Sequence, residues 1–198
     1  MRNILKATTL ESKLPLLAVE HGCIISKDAD ITVAFEVSLP ELFTVTSAEY
    51  EAMHGAWCKA IKVLPHYSVV HKQDWFCSEK YQPELQKDDL SFLDRSFERH
   101  FNERPYLAHR SYLFLTKTTK ERARQQSNFS TLCRGRITPK ELNHEMVVKF
   151  MESVEQFERI INDTGYIKLR RLSDDELVGT ENTSGLIEKY MSLTMDDV

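Results

Sequence analysis

The sequence predicts an α+β domain over residues 1–172, built on an antiparallel sheet and followed by an acidic extension over residues 173–198. Apolar residues recur every three or four positions between residues 138 and 163, which indicates a long amphipathic helix. Several short runs are rich in β-branched and aromatic residues, which favour strands. The chain has 198 residues, 41% of them hydrophobic and 28% charged. Such a chain can bury one globular core.

The first elements are strands. Two apolar runs, at residues 14–19 and 23–26, flank Glu20-His21-Gly22, which predicts a β-hairpin with a glycine in its turn. Residues 31–37 are rich in β-branched and aromatic side chains and predict a third strand, which Pro40 closes.

A helix is predicted over residues 46–64, because Thr46 and Glu49 have the spacing of a capping box. Pro65 lies just past its end. Its predicted buried face consists of Tyr50, Met53, Trp57, Ile61 and Leu64. Residues 68–76 then predict a strand.

A polar stretch follows at residues 78–89 and is interpreted as a loop. Ser91 and Asp94 predict the start of a shorter helix that ends before Pro105. Its large apolar residues are Leu93, Phe97 and Phe101. The next predicted strand covers residues 111–116.

The long helix is predicted over residues 139–163, with Thr138 and Glu141 as a capping box and an end near Gly165. Its apolar stripe consists of Leu142, Met146, Phe150, Val154, Phe157 and Ile161. A strand over residues 166–172 follows. In the acidic extension, Ser173 with Glu176 and the region around Ser184 and Glu188 predict two short helices.

The strongest elements therefore occur in the order βαββαβ, which is the order of the ferredoxin-like split βαβ fold. We expect one antiparallel sheet with two helices on one face. The hairpin at residues 14–26 is an addition, and the helix between the two middle strands is an insertion.

Composition excludes several classes of protein. The net charge of −4 argues against a generally nucleic-acid-binding surface. No apolar run approaches a membrane span, so we expect a cytoplasmic protein. The six glycines fit neither common phosphate-binding pattern. The cysteines, which are Cys23, Cys58, Cys77 and Cys133, show no CxxC pairing and are interpreted as small hydrophobic residues.

Candidate catalytic and metal sites are weak. His54 and Cys58 are four apart on a predicted helix, and His21 and Cys23 share one face of the hairpin, but a metal site needs three or four ligands. No GxSxG-type elbow surrounds a nucleophile. The acidic pairs are interpreted as solvated loops and are Asp88-Asp89, Asp174-Asp175 and Asp196-Asp197.

The segment from residue 117 to residue 136 is basic, with six basic residues and one acid. These residues can contact phosphates, and Phe129 can stack on a base. The nucleic-acid-binding candidates are Lys117, Lys120, Arg122, Arg124, Arg134 and Arg136. Tyr112, Phe114 and Tyr166 on predicted strands can add stacking. The alternative is a solvated loop paired with acidic surface.

Three passages carry a family resemblance: residues 1–37, residues 96–107 with 111–135, and residues 154–172. They resemble the N-terminal region of TraG-family conjugative-transposon ATPases, the motor proteins of conjugative type IV secretion systems. Members of that family carry a RecA-like ATPase domain after this region, with a P-loop and a Walker B acid. Neither motif occurs in these 198 residues.

The resemblance implies a non-catalytic N-terminal domain for assembly and docking. It implies no catalytic residue, metal or cofactor in this chain, with ATP and Mg²⁺ belonging to the motor domain. The implied partners are other secretion components and the motor domain, with self-association possible in the full-length protein. The implied location is the inner face of the cytoplasmic membrane, reached through partners. The rival function is single-stranded nucleic-acid binding by the basic segment.

Overall fold

The structure is a computed structural model that describes residues 14–81, 91–118 and 144–192. It has a mixed α+β fold with an antiparallel sheet and several helices. The strands of the sheet are β1 (Leu16–Glu20), β2 (Cys23–Ser26), β3 (Ile31–Ser38), β4 (Ser68–Lys80), β5 (Pro105–Lys117) and β6 (Lys168–Arg171). The helices are α1 (Ser47–Val63), α2 (Phe92–Glu103), α3 (His144–Asn162), α4 (Asp174–Val178) and α5 (Leu186–Ser192). A small hairpin of β7 (Gly179–Thr180) and β8 (Thr183–Ser184) joins the last two helices.

The six strands form one sheet in the order β1-β2-β3-β5-β4, and β6 pairs with β3. Every pairing is antiparallel. β2 and β6 share one edge of β3, with β2 beside residues 31–33 and β6 beside residues 35–38. The other edge of β3 pairs with β5 from Ile31 to Val37. This confirms the coarser part of the predicted fold class, a mixed α+β fold with an antiparallel sheet, and each predicted strand overlaps an observed one.

The predicted N-terminal hairpin is confirmed, and its turn is tight. His21 and Gly22 both have positive φ, at 56° and 69°, as a two-residue hairpin turn requires. The Asp174 carboxylate accepts hydrogen bonds from both of their backbone N–H groups, at 3.1 and 2.6 Å. The Arg171 guanidinium donates to the carbonyl of His21 at 2.9 Å. The turn is therefore held by residues more than a hundred positions away in the chain.

The first core lies between the sheet and the helices α1 and α3. The predicted stripe of α3 is buried in it at Phe150, Val154, Phe157 and Ile161. The Trp57 ring of α1 meets the Phe157 ring edge-on, with centroids 5.7 Å apart. The capping box at Thr46 is confirmed. The predicted buried face of α1 is only partly right, because Tyr50 and Ile61 are exposed.

The second core lies on the opposite face of the sheet, under α4 and α5. It consists of Ala34, Tyr112, Leu172, Leu177 and Leu186. Both short helices of the acidic segment are confirmed, and the capping box at Ser173 is present. The two long predicted helices, α1 and α3, pack in the first core and so lie on one face as expected, while α4 and α5 of the acidic segment cover part of the other face.

Two predicted strands are longer than expected. β4 extends to Lys80 and so includes residues 78–80 of the predicted loop, while residues 82–90 lie outside the described residues. β5 begins at Pro105, six residues before its predicted start. The cause is pairing between these two strands, which continues over 13 residue pairs from Ser68 to Lys80.

The end of α3 is confirmed, while its predicted start, with the capping box and Leu142, lies outside the described residues. Gly165 has φ +73°, and its N–H donates to the carbonyl of Asn162 at 3.0 Å. The Asn162 amide also bonds both backbone groups of Leu169, at 2.7 and 3.1 Å, which attaches α3 to β6. Within the described ranges, no helix combines the length and apolarity that crossing a bilayer requires.

Candidate interaction site

The helix α2 presents a row of large apolar side chains to solvent. Ser91 caps the helix, because its hydroxyl accepts from the Asp94 N–H and the Asp94 carboxylate accepts from the Ser91 N–H. We call the apolar row the α2 face; its residues and exposed fractions are Leu93 71%, Phe97 65% and Phe101 50%. Phe92, which is 84% exposed, is the first residue of the helix and lies on the side of Arg95 and Arg99. No residue of α2 is buried. A helix with this pattern normally turns these side chains into a core.

The contacts that hold α2 come from the end of β4. The Tyr81 hydroxyl donates to the Glu98 carboxylate at 3.0 Å. The Tyr81 and Phe101 rings meet edge-on with centroids 6.3 Å apart, and the Phe97 and Phe101 rings are 5.6 Å apart. These contacts fix the helix at its C-terminal half and leave the residues of the α2 face at least half exposed.

Charges surround the α2 face unevenly. In a helix with 3.6 residues per turn, Arg95 and Arg99 lie on the side opposite the row of Leu93, Phe97 and Phe101. Asp94 and Glu98 border the row on one side, and His100 borders it on the other. The α2 face is therefore an apolar row with a carboxylate rim on one side.

The helix α2 is carried by a two-stranded ribbon, the far ends of β4 and β5, which continues past the end of β3. β3 pairs with β5 only as far as Ser111, so residues 105–110 pair with β4 alone. Charged pairs link the two strands: Arg110 donates to Glu79 at 2.6 Å, and the His109 ring lies 3.0 Å from the Asp74 carboxylate.

The ion pairs of the ribbon are local. A hydrogen bond from Lys72, and then one from His109, lower the pKa of Asp74 to about 2. Exposed pairs of this kind contribute little to stability individually. They orient the ribbon by linking its two strands.

Apart from the α2 face, the structure has a concave feature beneath α5. This cleft of about 470 Å³ lies between α5, the hairpin β1–β2 and the second face of the sheet. Its walls are mainly apolar, and the hydroxyls of Thr32 and Thr116 are paired on its floor at 2.8 Å. Its ionisable residues are His71 and Tyr190. Among the described residues, the lining of the cleft is otherwise apolar or uncharged.

The two candidate metal pairs do not develop into sites. Cys58 Sγ lies 3.8 Å from His54 Nε2 on the exposed side of α1. Cys23 is buried, and burial raises the pKa of its thiol while the neighbouring Arg171 opposes the shift. Across the described residues, no three or more His, Cys, Asp and Glu side chains come together in a way that could hold a metal ion.

The acidic pairs are placed as follows. Asp174 is bonded to the turn of the hairpin, so it has a structural role that the solvated-loop interpretation missed. The pairs at residues 88–89 and 196–197 lie outside the described residues.

The nucleic-acid prediction is only partly visible in the structure. Lys117 is buried in β5, where its ammonium donates to the carbonyls of His66 at 2.6 Å and Thr118 at 3.0 Å. Burial lowers the pKa of Lys117. This placement does not suit a phosphate contact. The other five candidates, which are Lys120, Arg122, Arg124, Arg134 and Arg136, lie outside the described residues, as does Phe129.

The predicted stacking residues do not form an open platform. Tyr112 is 7% exposed and lies in the second core, with its ring centroid 5.5 Å from that of Trp75. Phe114 is half-buried in the cleft. Tyr166 precedes β6 instead of lying on it, and its hydroxyl donates to Glu49 at 3.3 Å. Binding by the basic segment stays a prediction.

Sequence reasoning found α2 but missed its exposure. The available signal was its position: a short amphipathic helix inserted between two strands that pair with each other has little remaining surface to pack against. Its apolar row then has to be covered by something beyond the described residues or stay in water.

Comparison with known proteins gives one family match. Residues 3–55 match a family described as "Domain of unknown function, B. Theta Gene description (DUF3875)". The match covers β1, β2, β3 and the first half of α1, and it ends before α2. The search against curated proteins found no match.

Proposed function

We propose that this chain is a non-catalytic assembly and docking domain of a conjugative-transfer ATPase, and that the α2 face is its docking contact. The observation that carries this proposal is the exposure of Leu93, Phe97 and Phe101, at 50–71%, along one side of a capped helix. Large apolar side chains grouped on a surface typically mark an interaction site. Aromatic anchors also dominate the energetics of protein interfaces.

The position of α2 supports a docking role. The helix is attached to the end of β4 by Tyr81, beyond the sheet whose two faces carry the cores. A partner can therefore reach the α2 face without disturbing either core. The cleft beneath α5 offers no comparable exposed row.

The strand order supports the fold that the proposal assumes. Leaving out the added hairpin, the sheet runs β6-β3-β5-β4, with all neighbours antiparallel and with α1 and α3 on one face. This is the arrangement expected of a ferredoxin-like βαββαβ unit. In our proposal the segment from residue 173 leads toward the motor domain, which binds ATP and Mg²⁺.

The proposed partner is another component of a type IV secretion channel at the inner face of the cytoplasmic membrane. The carboxylate rim of Asp94 and Glu98 specifies its chemistry further. The partner surface should be apolar with basic residues beside it, because complementary charge favours the correct encounter and register.

The test is transfer by donor cells whose conjugative element encodes the chain. Phe97→Asp with Phe101→Asp should reduce transfer at least about tenfold, because truncating a buried aromatic anchor typically weakens binding by that factor or more. Phe43→Asp is the matched control, since Phe43 is 90% exposed but lies far along the chain from α2. Circular dichroism should be unchanged in both variants.

Three results would overturn the proposal: unaltered transfer in the double variant, an equal loss in the Phe43 control, or a gene that lies outside any conjugative element. ATP turnover by the purified chain that survives contaminant controls would separately reject its non-catalytic character.

A further inference from the structure

The outer edge of β4 is a long, regular strand edge. β4 pairs with β5 through an unbroken register of 13 residue pairs, and within the described part of the chain no strand pairs with its other side. The opposite end of the sheet differs, because β1 has only five residues and its pairing is interrupted between Leu16 and Ala18. Free edges are normally shortened, bulged or covered, since they present unpaired N–H and C=O groups to other chains.

The side chains of β4 increase this exposure. Phe76 is 61% exposed and Val69 is 51% exposed. Between them lie Lys72 and Asp74, whose side chains point to the same face and bond to each other. An edge strand with apolar residues on both sides of one central charge of each sign can recognise a strand with the same pattern in reverse order.

The sequence of β4 has this self-complementary pattern. When two copies lie antiparallel with Gln73 opposite Gln73, each Lys72 faces Asp74 of the other copy. In the same register Val70 faces Phe76, His71 faces Trp75, and Val69 faces Cys77. Directly opposite residues in antiparallel strands share a face, so each of these pairs is in contact.

We propose that β4 pairs with β4 of a second copy of this chain, across a two-fold axis at Gln73. Two six-stranded sheets then join into one continuous sheet. Such an interface is isologous, since the same surface is used on both copies. It also covers the exposed Phe76 and Val69 side chains.

Charge selects this register over its neighbours. A shift that centres the pair on Lys72 places the two Lys72 side chains against each other, and one centred on Asp74 does the same to the two carboxylates. Like charges directly opposite one another are destabilising. A shift by a single position would instead turn one copy over, so that the first core of one copy would lie on the same side of the joined sheet as the second core of the other. Among the registers within two positions of it, the register at Gln73 is the one that avoids both penalties.

The pairing is independent of the proposed docking function, because it uses the edge of β4 and not the α2 face. The double variant at Phe97 and Phe101 should therefore leave self-association unchanged. Failure of docking and failure of self-association can be told apart in this way.

The first test is a charge swap, measured by sedimentation velocity across the micromolar range. Lys72→Asp alone and Asp74→Lys alone should each weaken dimerisation about tenfold or more, since two attractive pairs become two repulsive ones. The combination of both substitutions in one chain should restore the dimer. Lys62→Asp, the same charge change on α1, should have no effect.

The second test is a disulfide between copies. Val69→Cys, with Cys58→Ser and Cys133→Ser, should form a covalent dimer with the native Cys77 under mild oxidation. Within one strand these positions are eight residues apart, or about 26 Å, so no bond can form inside one copy. His71→Cys is the control, because it lies diagonally from Cys77 of the second copy, about 7–8 Å away.

A monomer at every concentration would overturn the proposal. It would also be overturned if the charge-swapped chain stayed monomeric while the original chain dimerised, or if His71→Cys gave as much covalent dimer as Val69→Cys.

Discussion

Replacing Leu177 by alanine tests whether α4 and α5 belong to the same folded unit as the sheet. Leu177 is 0% exposed and packs with Ala34, Tyr112 and Leu172 in the second core. The substitution removes three carbons, worth about 0.8 kcal/mol each in transfer free energy, and any remaining cavity adds to the loss. Because the five residues of α4 can partly close the space, we expect the free energy of unfolding to fall by about 2.5–3.5 kcal/mol.

The assay is urea unfolding followed by far-UV circular dichroism. With a denaturant slope of about 2 kcal/mol per molar, the midpoint should fall by more than about 1 M at unchanged slope. Val178→Ala is the matched control, since the neighbouring Val178 is 54% exposed. Its effect should stay below about 0.5 kcal/mol.

A midpoint that does not move in the Leu177 variant would refute the packing of α4 against the sheet. A lower slope with a second transition would show instead that the segment from residue 173 unfolds on its own, as an extension outside the domain would do.

Two further predictions concern single positions. Gly22→Ala should lower the thermal midpoint and cost more than about 1 kcal/mol, because Gly22 has φ +69° and an added Cβ would lie 3.1 Å from Arg171 Nε. Gly55→Ala on α1, where nothing lies within 4 Å of an added Cβ, should instead stabilise the protein by about 0.5–1 kcal/mol. If both substitutions changed the free energy of unfolding in the same direction, this reasoning would be contradicted. The pKa of Asp74 is about 2 in the folded protein, below its ordinary value of 3.8, so its contribution to stability is present above about pH 4 and is lost as the pH falls toward 2. At neutral pH the free energy of unfolding of Asp74→Asn should be lower than that of the original chain by less than about 1 kcal/mol. The urea midpoints of the two proteins should converge as the pH falls toward 2. A difference that persists at pH 2 would contradict the assignment.

Local chemistry made much of the fold predictable. The capping boxes at Thr46, Ser91 and Ser173 were read from pairs of residues three apart, and all three are present. The stop at Gly165 was equally local. These features depend on backbone groups that must be satisfied within a few residues, so neighbouring sequence is enough to place them.

Features that depend on distant parts of the chain were not predictable in the same way. The extra length of β4 and β5 comes from their mutual pairing, since residues 78–80 have the composition of a loop. The short helices α4 and α5 carry too few apolar residues to show which face of the sheet they cover. Asp174 looks like a solvated acid until β1 and β2 bring their turn to it.

The candidate site follows the same division. The helix α2 and its apolar row were predicted from spacing, whereas their exposure depends on what the rest of the fold leaves uncovered. Lys117 differs in the opposite direction from the apolar row of α2. A lysine in a basic run is expected at the surface, but Lys117 is buried at the end of β5. Burial depends on how distant elements pack together, so a short stretch of sequence does not determine it.

The sheet also separates the two tryptophans of the chain. Trp57 packs against Phe157 on one side, and Trp75 lies beside Tyr112 on the other. Each indole is thus a built-in fluorophore for a different layer. Substituting one at a time by phenylalanine would leave an emission signal that follows the melting of a single layer, so the protein already carries the probes needed to ask whether both layers come apart together.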